Sequence, residues 1–203
     1  MVKNYFILIS MREDYHPRIS EWRDAIDKRL IKWVLKLGFV PILISNLKIR
    51  DFYFKKYNLN IAGIILTGGG NINYNSSRYL TEKKLLSYSI KNKVPLLGIC
   101  HGMQMISNFE GGKLKKIKNH VKKKHIILNR DQLNIYPKKV NSYHNYTIKN
   151  LSKNFNVLCT CTKGSIEAIK HKKHNWLGWM WHPEREKNFN NSLIKIARKF
   201  FSR

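Results

Sequence analysis

Residues 94–104 read VPLLGICHGMQ, and the fold turns on how this stretch is read. An apolar, strand-like run ends at Ile99. Cys100 stands at the corner between Gly98 and Gly102, and a helical pattern, HGMQMISNFEG, begins at once. A strand that passes directly into a helix needs a tight turn, and the residue at its apex is strained and exposed. Small neighbours let the backbone fold back without collision. A cysteine at such an apex projects its thiol from the sheet edge, and the helix N-terminus favours the thiolate. The backbone N–H of His101 then points where an oxyanion would form. A small buried hydrophobe ahead of a helix would look the same in isolation, so the rest of the chain has to decide.

On either side of this corner, strands alternate with helices. NYFILIS (4–10) is a continuous apolar strand, and FVPILIS (39–45), IAGIILTGGG (61–70) and VPLLGI (94–99) follow it. Between them, residues 20–38 carry Trp22, Ile26, Leu30, Trp33 and Leu37 at helical spacing, with Ser20 as N-cap and Gly38 as C-terminal stop. Residues 47–58 and 81–93 are expected helices, the latter capped by Thr81. This alternation predicts an α/β fold, a parallel sheet covered on both faces. Beyond residue 112 the pattern changes to successive strands, KHIILN, LNIYPKKVNSY and the long stretch from FNVLCTC to WMWHP, before a final helix over roughly 190–202. No linker, repeat or low-complexity tail interrupts the 203 residues, so one domain over 1–203 is expected.

The formal charge is +27, which raises the question of nucleic acid. The lysines are scattered along the chain among Asn and Ile, as an AT-rich genome would produce, and no nucleic-acid-binding module motif is present. The densest basic run, residues 111–125, reads either as a solvated surface or as one that attracts an anion. No apolar run reaches the roughly 20 residues a membrane span needs. Acids follow the first apolar stretch directly and no small-residue cleavage site appears, so a strand and a cytoplasmic location are expected rather than a signal peptide. Of the three cysteines, Cys159 and Cys161 lie on one face of a strand and read as structural. They have no second Cys/His pair at zinc-site spacing, so no metal is expected there.

Two further segments bear on Cys100. LTGGGN (66–71) ends the preceding strand and in a parallel sheet shares its edge with Cys100. Consecutive glycines there can turn N–H groups toward one point and complete an oxyanion hole. WMWHPER (179–185) delivers His182 from an apolar run, Pro183 fixes the chain after it, and Glu184 can reach back to orient the imidazole. A Cys nucleophile, a His base and a carboxylate orienter follow the logic of a catalytic triad.

GICHGMQ, WHPE and TGGG together resemble the class I glutamine amidotransferase superfamily, over nearly the whole chain. The resemblance implies a flavodoxin-like three-layer α/β sandwich with a mostly parallel central sheet. It implies Cys100 as nucleophile, His182 as base and Glu184 as orienter. It also implies an oxyanion hole from His101 and the 68–70 glycines, Gly69 first and Gly70 beside it. Gln104 corresponds to a family glutamine that helps hold the glutamyl part of the substrate. SEWRDAIDKR and VNSYHNY are similar to the γ-glutamyl hydrolase branch, which places Asn141, Ser142 and His144 near that glutamyl group. The segment departs from the branch pattern at Asn145 and Tyr146. Within the branch, the short basic chain is most similar to hydrolases of nucleotide-linked γ-glutamyl amides. Arg12, His16 and Arg18, after the first strand, are then candidates for phosphate contact. The expected partner is this small-molecule substrate, with no nucleic acid, membrane, cofactor or metal. A glutaminase subunit that passes ammonia to a synthetase, a γ-glutamyl-amine hydrolase and a non-catalytic basic binding protein are the competing readings.

Overall fold

The computed structural model describes residues 5–46, 59–130 and 135–202. Its main sheet is nine-stranded among the described residues. Strands β1 (Phe6–Ser10), β4 (Val40–Ile44), β5 (Ile61–Leu66), β6 (Leu96–Ile99) and β13 (Trp176–Trp179) form the parallel part, in the order β4-β1-β5-β6-β13. An antiparallel extension continues through β12 (Ile166–His171), β11 (Phe155–Cys161), β8 (Val121–Asn129) and β9 (Lys139–Tyr143). A separate pair joins β7 (Lys113–Lys116) to β10 (Tyr146–Asn150).

Alternation along the central strands builds the layers. Ile7, Ile9, Ile65, Leu97 and Ile99 face one core, closed by Leu30, Trp33, Val34 and Leu37 of α1 (Lys28–Leu37) and by Leu193, Ala197 and Phe201 of α4 (Asn191–Phe201). Leu8, Ile64, Leu66 and Leu96 face the other, closed by Leu85 and Leu86 of α2 (Ser77–Asn92) and by Met103 and Ile106 of α3 (His101–Phe109). With period-2 side chains feeding two apolar layers, the result is the expected flavodoxin-like sandwich.

Local structure departs from expectation in three places. Residues 20–38 are not one helix. Glu21–Ala25 form β3, which pairs with β2 (Arg12–His16) as a hairpin, and α1 starts only at Lys28. Ser20 adopts a left-handed conformation (φ 51°) at the hairpin turn, and the cap is Asp27, whose side chain accepts from Arg29 N at 2.9 Å. Trp22 shares the helical spacing by coincidence: it is 66% exposed and packs on Tyr15 across the hairpin, ring centroids 4.9 Å apart. Helix α2 starts at Ser77 with Ser76 as its cap, accepting from Tyr79 N at 3.1 Å. Thr81, the expected cap, is buried within that helix. The paired strands Lys113–Lys116 and Tyr146–Asn150 were not expected. The helix expected over 47–58 lies outside the described residues.

Candidate active site

Strand β6 ends at Ile99 and α3 begins at His101, leaving Cys100 alone at the turn with φ 51° and ψ −102°. This is strained backbone for a residue with a Cβ. Its N–H donates to Trp179 O at 2.7 Å, while its carbonyl accepts from Gln104 N at 3.1 Å and opens the helix. The corner closes because helix and strand meet through glycine: a Cβ on Gly98 would run into the Gly102 backbone, and one on Gly102 into the Leu66 carbonyl.

His182 follows β13 and is almost completely buried. Its Nδ1 lies 2.6 Å from Glu184 Oε1, which leaves Nε2 for Cys100. Burial pulls the imidazole pKa down. The charges of Glu184 and Cys100, both also hydrogen-bonded to the ring, outweigh that and push it up to about 9. Gly68 lies against the ring so closely that a Cβ there would overlap His182 Cε1. Asn141 clamps the backbone of the same residue, its Oδ1 accepting from His182 N at 2.9 Å and its Nδ2 donating to His182 O at 2.8 Å. Tyr143 meets the imidazole edge-on, centroids 5.7 Å apart.

The glycine segment is held from behind by residues that sequence reasoning did not single out. Arg78 donates to Gly69 O at 2.5 Å and to Thr67 O at 2.7 Å. In a trans peptide C=O and N–H point to opposite sides, so the N–H groups of Gly68 and Gly70 turn away from Arg78. Gly69 and Gly70 both have positive φ, 93° and 73°. Arg78 Nε also donates to Glu82 Oε1 at 2.9 Å, Ser10 Oγ donates to the same oxygen at 2.9 Å, and His101 Nε2 lies 3.0 Å from Glu82 Oε2. Burial raises the Glu82 pKa, but the charges of Arg78 and His101 overcome it and hold the carboxyl at about 2. The signal for this network was Arg78 and Glu82 one turn apart between two site segments; it reads equally well as a surface i,i+4 pair.

The other candidate residues are dispersed. Gln104 donates to Tyr146 O at 3.1 Å and, with Tyr146, Asn71, Asn108 and Lys113, lines a cavity of about 540 Å³. Asn141 fastens His182 and also donates to Glu186 at 2.8 Å, and Ser142 Oγ donates to His120 O at 2.5 Å. His144 turns toward Glu167. Arg12 lies over Gly69 and pairs with Asp14 at 2.9 Å. Arg18 is exposed on the short 3-10 turn Pro17–Ile19 at the tip of the β2–β3 hairpin, and His16 is exposed beside it. Arg12 and His16 stand four residue steps apart on the strand, roughly 13 Å at 3.3 Å per residue. Cys159 and Cys161 are buried and not disulfide-bonded. Among the described residues no helix is long and apolar enough to cross a membrane.

Residues 20–198 match the glutamine amidotransferase class-I family, and the chain belongs to it. It is 32% identical over 211 residues to the γ-glutamyl-CDP-amidate hydrolase of Campylobacter jejuni, covering 97% of this chain and 98% of that protein. It is 30% identical over 182 residues to the GMP synthase of Bacillus licheniformis, covering 87% of this chain but 33% of the synthase. Among solved structures, a candidate GMP synthase subunit from Thermoplasma acidophilum superposes with a TM-score of 0.72 at 21% identity over 97% of this chain and 92% of that one. A glutamine amidotransferase from Thermotoga maritima gives 0.66 at 15% identity, covering 100% and 85%. At these identities the structures speak for the fold alone.

Proposed function

We propose that this chain hydrolyses the γ-glutamyl amide bond of γ-glutamyl-CDP-amidate, giving glutamate and cytidine diphosphoramidate, a phosphoramidate donor for bacterial capsule modification. The observation that carries the reading is the strained Cys100 corner facing a buried His182 that is itself bonded to Glu184. The Cys100 sulfur attacks the γ-carbonyl, and N–H groups of His101 and of the Gly69–Gly70 turn receive the oxyanion, each donor worth roughly 3–4 kcal/mol in comparable sites. The C–N bond breaks as His182 passes its proton to the leaving nitrogen. His182 then takes a proton from water, whose oxygen attacks the thioester; glutamate leaves and the thiol is restored. The cavity beside Gln104 and Lys113 is of a size to take the glutamyl group.

The nucleotide part of the reading is supported by the match to the Campylobacter jejuni hydrolase, which runs over nearly the full length of both proteins. It is supported also by the β2–β3 hairpin. The exposed Trp22–Tyr15 pair offers a stacking face for a base, and Arg12, on the same hairpin, lies over Gly69 as a partner for phosphate oxygens. The GMP synthase match favours a second reading, a glutaminase delivering ammonia to a synthetase. The test is kcat/KM for the nucleotide amidate, for γ-glutamyl amines and for glutamine, with cytidine diphosphoramidate followed by phosphorus NMR. A preference of about tenfold or more for the nucleotide substrate upholds the proposal. Equal rates on glutamine, raised by an added synthetase, favour the second reading.

A further inference from the structure

The antiparallel end of the sheet buries a second set of chemically active side chains. His120 precedes β8, His125 lies on it, His144 follows β9 and Glu167 lies on β12. Donor atoms of His120, His125 and Glu167 all fall within 4.8 Å of one another. His125 Nε2 is 3.3 Å from Glu167 Oε2, and His144 Nε2 is 3.8 Å from Glu167 Oε1. Cys161 Sγ lies 4.0 Å from His120 Nε2. Glu167 has no exposed surface, while His120 and His144 are 4% and 3% exposed.

Among the described residues, neither carboxylate oxygen of Glu167 has a partner in hydrogen-bond geometry, and neither do Nε2 of His125 and of His144. His120 Nδ1 lies 2.9 Å from Lys118 O and His144 Nδ1 2.9 Å from Tyr146 O. A carbonyl only accepts, so each Nδ1 carries a proton, and in the neutral form the ring's lone pair stands on Nε2. Lone pairs and a carboxylate gathered in one buried space repel one another, and leaving them without a partner is costly. An imidazole fixed by an outer N–H to a backbone carbonyl with its other nitrogen bare, as His144 is, is the arrangement in which histidines bind metal ions; His120 is fixed the same way, and its Nε2 meets the Cys161 sulfur 4.0 Å away.

We propose that His120, His125 and Glu167 hold a divalent transition-metal ion, zinc by donor type, with His144 supplying the fourth ligand. Imidazole and carboxylate suit Zn²⁺. With bonds of about 2.0–2.1 Å, tetrahedral ligand atoms stand roughly 3.3 Å apart. The His125–Glu167 edge already has that length, the His144–Glu167 edge is 3.8 Å, and the donor atoms of His120, His125 and Glu167 all lie within 4.8 Å of one another. The contrast with a second His/Glu group, Glu110, His171 and His174, is instructive. There His171 Nδ1 accepts from the N–H groups of Lys173 and His174 at 3.0 and 2.9 Å, so its proton sits on the Nε2 that faces Glu110, and no lone pair is offered. The role of the ion is structural. It ties β8 and β12 to the segment after β9, whose Asn141 grips His182. It takes no part in the thiol chemistry.

The test uses full-length Cys100→Ala protein, so that the catalytic thiol cannot bind the probe. Zinc is quantified by mass spectrometry after purification, and Co²⁺ is titrated into metal-free protein. The expected result is one equivalent of ion, the strong visible bands of tetrahedral Co²⁺ and a rise in Tm on adding Zn²⁺. Glu167→Gln and His125→Gln in the same background should weaken the ion by more than the roughly 10–100-fold typical of outer-sphere partners. No stoichiometric ion in Cys100→Ala protein, or undiminished binding in either variant, overturns the proposal. If both variants fail to fold, the cobalt spectrum decides alone, and bands of octahedral type overturn it.

Discussion

Arg78 and Glu82 form a buried ion pair on α2, 2.9 Å from Nε to Oε1, whose outer contacts reach both halves of the candidate site: Gly69 through Arg78 and His101 through Glu82. One rigid unit therefore sets the glycine turn and the first residue of α3 relative to each other. Removing one partner of a buried pair leaves the other uncompensated, at a cost of about 3–5 kcal/mol. Glu82→Gln should lose stability in that range by urea unfolding and should lower kcat more than it raises KM. A loss below about 1 kcal/mol with unchanged turnover would show that the network does not position the site.

The same carboxylate makes stability depend on acid. Glu82 titrates at about 2 in the fold, below its ordinary value near 4.5. Its contribution is thus present above that ordinary value and is lost as pH falls from about 5 toward 2. Wild-type protein should lose stability steeply across that window, and Glu82→Gln should show a shallower slope. Equal slopes would assign acid lability elsewhere.

His182 has the opposite sign. Its pKa is raised from 6.5 to about 9, so the protonated ring stabilises the fold fully below 6.5 and that contribution is lost as pH rises through about 9. If it donates the proton to the leaving nitrogen, as proposed, it should give kcat/KM an alkaline limb near 9. Glu184→Gln removes a charge that raises the pKa, so the limb should move to lower pH with acylation still measurable, whereas His182→Asn should nearly eliminate turnover. An unmoved limb in Glu184→Gln would take that carboxylate out of the mechanism.

Cys100 is the single cysteine at a strand–helix corner, and Cys100→Ala should bind substrate without turning it over. Cys159→Ala should keep most activity with a modest loss of Tm. Calorimetric binding with single-turnover analysis checks both, and turnover by Cys100→Ala would end the nucleophile assignment.

Arg12 and Arg18 look equivalent in sequence and are not so in space. Arg12 covers Gly69, while Arg18 sits exposed at the hairpin tip. Arg12→Ala should lower kcat/KM for the nucleotide amidate at least about tenfold, a loss of about 1.4 kcal/mol, and leave glutamine hydrolysis nearly unchanged. Arg18→Ala should cost less. A parallel fall on both substrates would mean that Arg12 supports the glycine turn rather than the phosphates.

Short-range physics was legible in the chain. Alternating apolar runs specify strands, and a cysteine between glycines at the end of one specifies a sharp corner. Gly38 ends α1 in the left-handed conformation that such a stop requires. The helix pattern of residues 20–38 misled at its first turn, because spacing alone cannot tell whether Trp22 faces a core or stacks across a hairpin. What tertiary structure alone decided are partnerships between distant segments. Arg78 became the anchor of the glycine turn, Asn141 the clamp on His182, and His120, His125, His144 and Glu167 one buried cluster, although the first and the last stand 47 positions apart. Each partnership depends on which strands pair and where loops close, and a polar side chain carries no periodic signature of the group it will meet. The antiparallel extension, by bringing β8, β9 and β12 to one end of the sheet, supplies the neighbours that the residue types leave open.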